Sequence, residues 1–172
     1  MKVIFLDRDG VINKDIGYLY KISDFQFREG IFEACKYFNK IGYKIIIITN
    51  QSGIYRGYFN LNDLKILNKW LIDQFKKMNI SILDVFFCPH GPNSSCECRK
   101  PKPGMLLEAQ KMYGIDLKNS WMIGDKEDDI QAANNAGIQN TILVKSRYIS
   151  YEKTSKATYI LKSMNESIKY IQ

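Results

Sequence analysis

The chain has 172 residues, 45% hydrophobic and 25% charged, with a formal net charge of +7. That length suits a single domain over residues 1–172, and that composition excludes a disordered tail, a collagen-like repeat and a mini-protein that needs staples to fold. The longest apolar run, Ile45 to Ile48, is four residues, far short of the ~20 of a membrane helix. Acidic residues at Asp7 and Asp9 come too early for a signal-peptide core, so a cytoplasmic protein with no membrane association is expected. The 25 Lys and Arg are dispersed along the chain, a pattern that fits a phosphorylated small molecule as well as a polyanion.

Strand-like and helical patterns alternate in chain order. Val3-Ile4-Phe5-Leu6 reads as a first strand, and residues 30–41 place Ile31, Ala34, Cys35, Phe38 and Ile41 at helical spacing before Gly42. Lys44 to Thr49 reads as a strand buried on both faces, because four consecutive isoleucines suit the centre of a parallel sheet. A helix over about 61–78, a strand over 82–87 and a helix from Pro103 to Tyr113 follow. Then come a strand at 121–124, a short helix at 127–136 closed by Gly137, and a strand at 141–144. The tail offers Tyr159-Ile160-Leu161 and a final amphipathic helix. Such alternation implies an α/β protein with right-handed crossovers and helices on both faces of a parallel sheet.

In sheets of this kind ligands sit beyond the carboxyl ends of the strands, and there the polar residues of this chain gather. Asp7-Arg8-Asp9-Gly10 follows the first strand, Thr49-Asn50-Gln51-Ser52-Gly53 ends the second, Arg99-Lys100 lies past the third, and Gly124-Asp125 ends the fourth. Residues two apart at a strand end project the same way, so Asp7 and Asp9 can face one small volume that Asp125 reaches from another strand. Converging carboxylates repel unless a cation lies between them, and hard oxygen ligands favour Mg²⁺. Each segment alone is ordinary turn chemistry; all four in order point to a site.

Three of the four cysteines crowd together with the only histidine: Cys88, His90, Cys96 and Cys98. Four such ligands match a closed Cys₃His site for Zn²⁺. A full ligand set leaves no position for substrate, so the expected role is structural, pinning a loop of prolines and small residues that cannot build a core. Cys35, set in an apolar helical pattern, reads as a small buried hydrophobe.

The segments DRDGVIN, TNQSGI, CRKPKPGM and IGDKEDDI together resemble the haloacid dehalogenase-like phosphatases, and within them the branch of the heptose-bisphosphate and histidinol-phosphate phosphatases. The resemblance runs from residue 1 to about 145. It implies a three-layer α/β/α, Rossmann-like parallel sheet; only about twenty residues separate Asp9 from the next helix, which leaves no room for a large cap domain. It implies that Asp7 is the nucleophile, that Asp9 protonates the leaving alkoxide and then activates water, and that Thr49 and Lys100 hold and neutralise the phosphoryl group. Neighbouring negative charge and partial burial would help Asp9 to hold its proton.

Mg²⁺ would sit on the Asp7 carboxylate, the Asp9 backbone carbonyl and the Asp125 carboxylate, with Asp129 orienting metal-bound water. Lys102 is the alternative to Lys100. Substrate contacts would come from Asp15, Ile16, Gly17 and Tyr18, from Thr49, Asn50, Gln51 and Ser52, and from Arg99, Lys100 and Lys126. Tyr18 and Tyr20 fit loop packing as readily as substrate contact.

The activity implied is removal of the 7-phosphate of D-glycero-D-manno-heptose 1,7-bisphosphate on the way to nucleotide-activated heptose, by a monomer. Histidinol phosphate is the close alternative. A polynucleotide 3′-phosphate is a remote one, since no contiguous basic-aromatic stripe supports nucleic acid as a partner.

Overall fold

The computed structural model describes residues 1–145 and 154–172. Six strands form one sheet, all pairs parallel, in the order β3-β2-β1-β4-β5-β6. They are β1 (Val3–Leu6), β2 (Lys44–Asn50), β3 (Ile82–Cys88), β4 (Trp121–Gly124), β5 (Asn140–Val144) and β6 (Tyr159–Leu161). The helices are α1 (Ile31–Lys40), α2 (Leu61–Lys77), α3 (Gly104–Tyr113) and α4 (Glu127–Ala136). Each expected strand and helix is present, except that the amphipathic end of the chain is a 3-10 segment, Met164–Lys169. No helix among the described residues is long and apolar enough to cross a membrane.

The strand alternation of side chains divides the core into two layers. Ile4, Leu6, Ile45, Ile47 and Ile123 pack with α1, with Leu67, Leu71 and Phe75 of α2, and with Met164 and Ile171 of the tail. Val3, Phe5, Ile46, Ile48 and Met122 face the other way, against Met105, Leu106 and Ala109 of α3 and Ala132 and Ala133 of α4. The isoleucine run of β2 is fully buried because both layers need it. Helix α2 begins with a capping box: Asn60 accepts from the Asp63 N–H while the Asp63 carboxylate accepts from the Asn60 N–H.

The chain runs from β1 outward to β2 and β3, then crosses back to β4 on the opposite side of β1. The direction of winding therefore reverses between β1 and β4, and a crevice opens there at the carboxyl ends of the strands. Asp7 follows β1 and Asp125 follows β4. The Asp7 N–H still donates to the Ile123 carbonyl at 3.0 Å, so the sheet itself fixes the first residue of the site.

Candidate active site

Asp7, Asp9, Asp15, Gly17, Tyr18, Thr49, Asn50, Gln51, Ser52, Gly53, Arg99, Lys100, Lys126, Asp128 and Asp129 line a cleft of about 290 Å³ at the switch point. At its floor the Lys100 ammonium, 3% exposed, contacts Asp7 Oδ1 at 2.7 Å, Asp129 Oδ1 at 2.6 Å and the Ile48 carbonyl at 2.8 Å. Lys102 lies outside the cleft, with its Nζ on the Cys96 carbonyl and on Glu97.

Carboxylate oxygens of Asp7, Asp125 and Asp129 come within 4.8 Å of one another, and all three residues are buried. Burial pushes the Asp7 carboxyl well above the usual range; Lys100 opposes this, while Asp129 and Asp125 add to it. Lys100 bridges Asp7 and Asp129, and Lys126 and Arg28 act on Asp125; a divalent cation among the three carboxylates would relieve their mutual repulsion. Gly10 makes the approach possible: at φ +95° it has no Cβ, and one placed there would lie 2.1 Å from Asp125 Oδ2. The donor set therefore fits a hard cation such as Mg²⁺.

Asp129 belongs to this cluster by distance, where the sequence reading gave it only a water-orienting part. It also accepts from the backbone N–H groups of Asp125 and Lys126 at 3.1 Å each, and so it shapes the turn that carries Asp125. The Asp9 side chain is not in the cluster. Negative charge surrounds Asp7 rather than Asp9. The Asp9 carboxylate accepts from the Arg8 guanidinium, from Asn13 Nδ2 at 2.9 Å and from Gln51 Nε2 at 3.0 Å, a set of donors that fixes its orientation.

Above this floor the loops separate into two kinds of contact. Gln51 Nε2 also donates to Thr49 Oγ1 at 2.8 Å, which fixes the threonine hydroxyl in the cleft that Asp7 lines. Asn50 lines the cleft, but its amide is committed to the Lys100 backbone in both directions, at 3.1 Å each. It therefore positions Lys100 while lining the cleft. Lys126 Nζ reaches Asp15 Oδ2 at 3.3 Å across the cleft.

Ile16 is exposed and does not line this cleft. The Gly17 N–H folds back onto Asp15 Oδ1 at 2.9 Å, and this tight turn leaves residue 16 on its outer side. Tyr18 lines the mouth and packs edge-on against Tyr58 at 4.8 Å, whereas Tyr20 stacks on Phe59. Of the two tyrosines, only Tyr18 faces the ligand space.

Cys88, His90, Cys96 and Cys98 converge, with one ligand atom from each lying within 4.8 Å of the others. The Cys88–Cys96 sulfur separation is 3.7 Å, and His90 Nδ1 lies 3.5 Å from the Cys88 sulfur and 3.3 Å from that of Cys98. A tetrahedron with ~2.3 Å metal–sulfur bonds has edges of about 3.8 Å, so these separations suit an ion at the centre; the Cys88–Cys98 edge, at 2.9 Å, is compressed. No disulfide joins them. Arg99 Nη1 donates to the His90 carbonyl at 3.2 Å, and the Gln51 N–H donates to the Cys88 carbonyl at 2.7 Å. The cluster thus holds both the segment leading to Lys100 and the loop after β2.

A family profile for HAD-hydrolase-like proteins matches residues 97–167. A D-glycero-alpha-D-manno-heptose-1,7-bisphosphate 7-phosphatase of Photorhabdus laumondii is 45% identical over 164 residues, covering 91% of this chain and 90% of its own length. A D-glycero-beta-D-manno-heptose-1,7-bisphosphate 7-phosphatase of Helicobacter pylori strain J99 is 42% identical over 172 residues, covering 99% and 97%. The chain belongs to the D-glycero-D-manno-heptose-1,7-bisphosphate 7-phosphatase family of HAD-like hydrolases. A crystal structure of a D,D-heptose 1,7-bisphosphate phosphatase from B. bronchiseptica, complexed with magnesium and phosphate, matches with a TM-score of 0.89 at 30% identity, over 99% of this chain and 97% of that one. A second, from Burkholderia thailandensis, matches at 0.73 with 23% identity and shows the shared fold. In this family member one participant escaped the sequence reading: Arg8, fully buried and paired with Asp9. The only signal for it was its place between two aspartates.

Proposed function

We propose that the chain hydrolyses the 7-phosphate of D-glycero-D-manno-heptose 1,7-bisphosphate, with Asp7 as the nucleophile. The observation that carries this reading is the buried Asp7–Lys100–Asp129 chain of contacts at 2.7 and 2.6 Å, in a cleft that Asp9 and Thr49 also line.

An Asp7 oxygen forms a bond to phosphorus as the bond from phosphorus to the sugar oxygen breaks, and Asp9 gives a proton to that oxygen. Asp9 then takes a proton from water, whose oxygen attacks the phosphorus of the aspartyl phosphate and releases Asp7 and inorganic phosphate. Thr49 and the N–H groups of the loop after β2 hold phosphate oxygens, and Lys100 neutralises the phosphoryl charge as it moves. Asp7 and Asp125, with Asp129 beside them, would hold Mg²⁺, which when bound offsets repulsion between nucleophile and phosphate. Arg99, with its planar fork of donors, suits the phosphate that is not removed. Asp15, Gly17 and Tyr18 would close over the sugar as a substitute for a cap.

Heptose 1,7-bisphosphate of either anomer should exceed histidinol phosphate and a 3′-phosphorylated oligonucleotide in kcat/KM by at least about 100-fold, roughly the discrimination available when a site built for one polar substrate is left unpaired by another. Steady-state assays across the four substrates check this, and a preference for either competitor would reassign the activity.

The Cys/His cluster is assigned to structural Zn²⁺, and four unpaired cysteines suit a reducing, cytoplasmic compartment. Removing zinc should loosen residues 88–99 and lower kcat/KM about 100-fold, since an ångström of misplacement at a phosphate clamp has an effect of that order. Hydrogen exchange and kinetics on protein verified free of zinc test this; unchanged kinetics would contradict it.

A further inference from the structure

Arg8 stands between the two aspartates of the first strand end, and the strand alternation turns it inward. Its side chain is wholly buried. Nη2 donates to Asp9 Oδ2 at 2.9 Å and to Oδ1 at 3.1 Å, Nε reaches Oδ1 at 3.3 Å, and Nη2 also donates to the Leu19 carbonyl at 3.0 Å. Nη1 is buried with no hydrogen-bond partner among the described residues. The Arg8 carbonyl accepts from the N–H groups of Ile12 and Asn13, and the Asn13 side chain closes on the same Asp9 oxygen.

This arrangement is a poor way to gain stability. A buried ion pair does little better than apolar residues of equal volume, and a guanidinium nitrogen left unsatisfied adds a cost. Its product is geometric. The guanidinium grips the Asp9 carboxylate from the protein interior: Asp9 lines the cleft, whereas Arg8 is fully buried and does not. Through Leu19 it also ties that carboxylate to the segment carrying Asp15, Gly17 and Tyr18.

We propose that Arg8 is a positioning residue for proton transfer: it fixes the Asp9 carboxyl against the oxygen that leaves phosphorus, in register with the loop that receives the sugar. This rests on the reading of Asp9 as the acid of the first step. A sugar alkoxide is a poor leaving group without that proton, whereas 4-nitrophenolate is a stable anion and departs nearly unaided. Damage to the acid's placement therefore falls on the sugar phosphate and spares the aryl phosphate. Damage to the fold, the nucleophile or the phosphate site falls on both.

The test is kcat/KM, which covers steps up to phosphorylation of Asp7, for heptose 1,7-bisphosphate and for 4-nitrophenyl phosphate, in R8M, R8K and D9N. R8M is expected to lose about 100-fold on the sugar substrate and less than about threefold on the aryl one. R8K keeps the buried charge, and with it the fold, but not the two-point grip. It is expected to show the same split at about tenfold. Equal losses on both substrates in R8K, or no loss, would overturn the proposal even if R8M does not fold. D9N separates the two levels: a split in D9N without one in R8K rejects the part given to Arg8 alone, whereas no split in D9N rejects Asp9 as the acid and Arg8 with it.

Discussion

An Asp7→Asn enzyme is expected to lose turnover on every phosphomonoester by at least about 10⁴-fold, the scale on which removal of a nucleophile is felt, while keeping its fold. The amide is nearly isosteric with the carboxylate but cannot form the bond to phosphorus. It also removes one of the two buried carboxylates that share the Lys100 ammonium, beside a third in Asp125. Burial, against the opposing pull of Lys100 and with help from Asp129 and Asp125, raises the Asp7 carboxyl well above its reference value of 3.8. A carboxyl raised in this way binds more protons folded than unfolded between the two values, so stability falls as pH rises through that interval.

Metal-free wild-type protein should therefore lose ground in Tm against Asp7→Asn as pH climbs above 3.8, until the folded value is passed. Magnesium should recover more of that loss at neutral pH than at pH near 5, because it competes with the proton for the same oxygens. Thermal unfolding with and without chelator at several pH values, beside single-turnover kinetics, measures both effects. Retained turnover would exclude Asp7 as the nucleophile, and a wild type that gained on the variant with rising pH would reverse the electrostatic account.

What was legible in the sequence, and what was not, follows from the range over which each signal acts. Strand β2 was readable because four consecutive isoleucines have only one economical placement, between two layers. The strand ends were readable because Asp7, Thr49 and Asp125 each interrupt an apolar run, and in a parallel sheet all such interruptions fall on one edge. Strand order was not readable, since it depends on which helix covers which face. The division of labour among Asn50, Gln51 and Ser52 was equally hidden. Asn50 is engaged by a backbone fifty residues away, and only the fold brings the two together. The exposed place of Ile16 was hidden too, because it follows from the Gly17 N–H folding back onto Asp15 and not from residue type. Arg8 escaped notice because a charged residue in a turn ordinarily faces water, and here it is wholly buried.

Lys100→Met should be the most damaging single change to stability within the site, and nearly as damaging to turnover as loss of the nucleophile. The ammonium is buried with contacts to two carboxylates and a carbonyl. Burial alone would lower its proton affinity, but Asp129 and then Asp7 outweigh this and raise it. A raised lysine contributes fully at every pH below its unfolded value of 10.5 and is lost only as pH rises through its folded one, so the wild type has this support throughout the neutral range.

Methionine has similar bulk but leaves the carboxylates uncompensated, a change that costs about 3–5 kcal/mol when one partner of a buried pair is removed. In a domain of this size that is a fall in Tm of about 10 °C. The deficit should shrink on acidification, as the stranded carboxylates take up protons, and on adding magnesium, which places positive charge in the same cluster. Catalysis should fall about 10³-fold, the cost of losing a preorganised charge on the transferring group. It should fall equally on sugar and aryl phosphates, because Lys100 acts on the phosphoryl group and not on the leaving oxygen. That equality distinguishes Lys100 from Arg8 in one assay. Activity within tenfold of wild type, or a Tm deficit that grew toward low pH, would show that the ammonium does not neutralise this cluster.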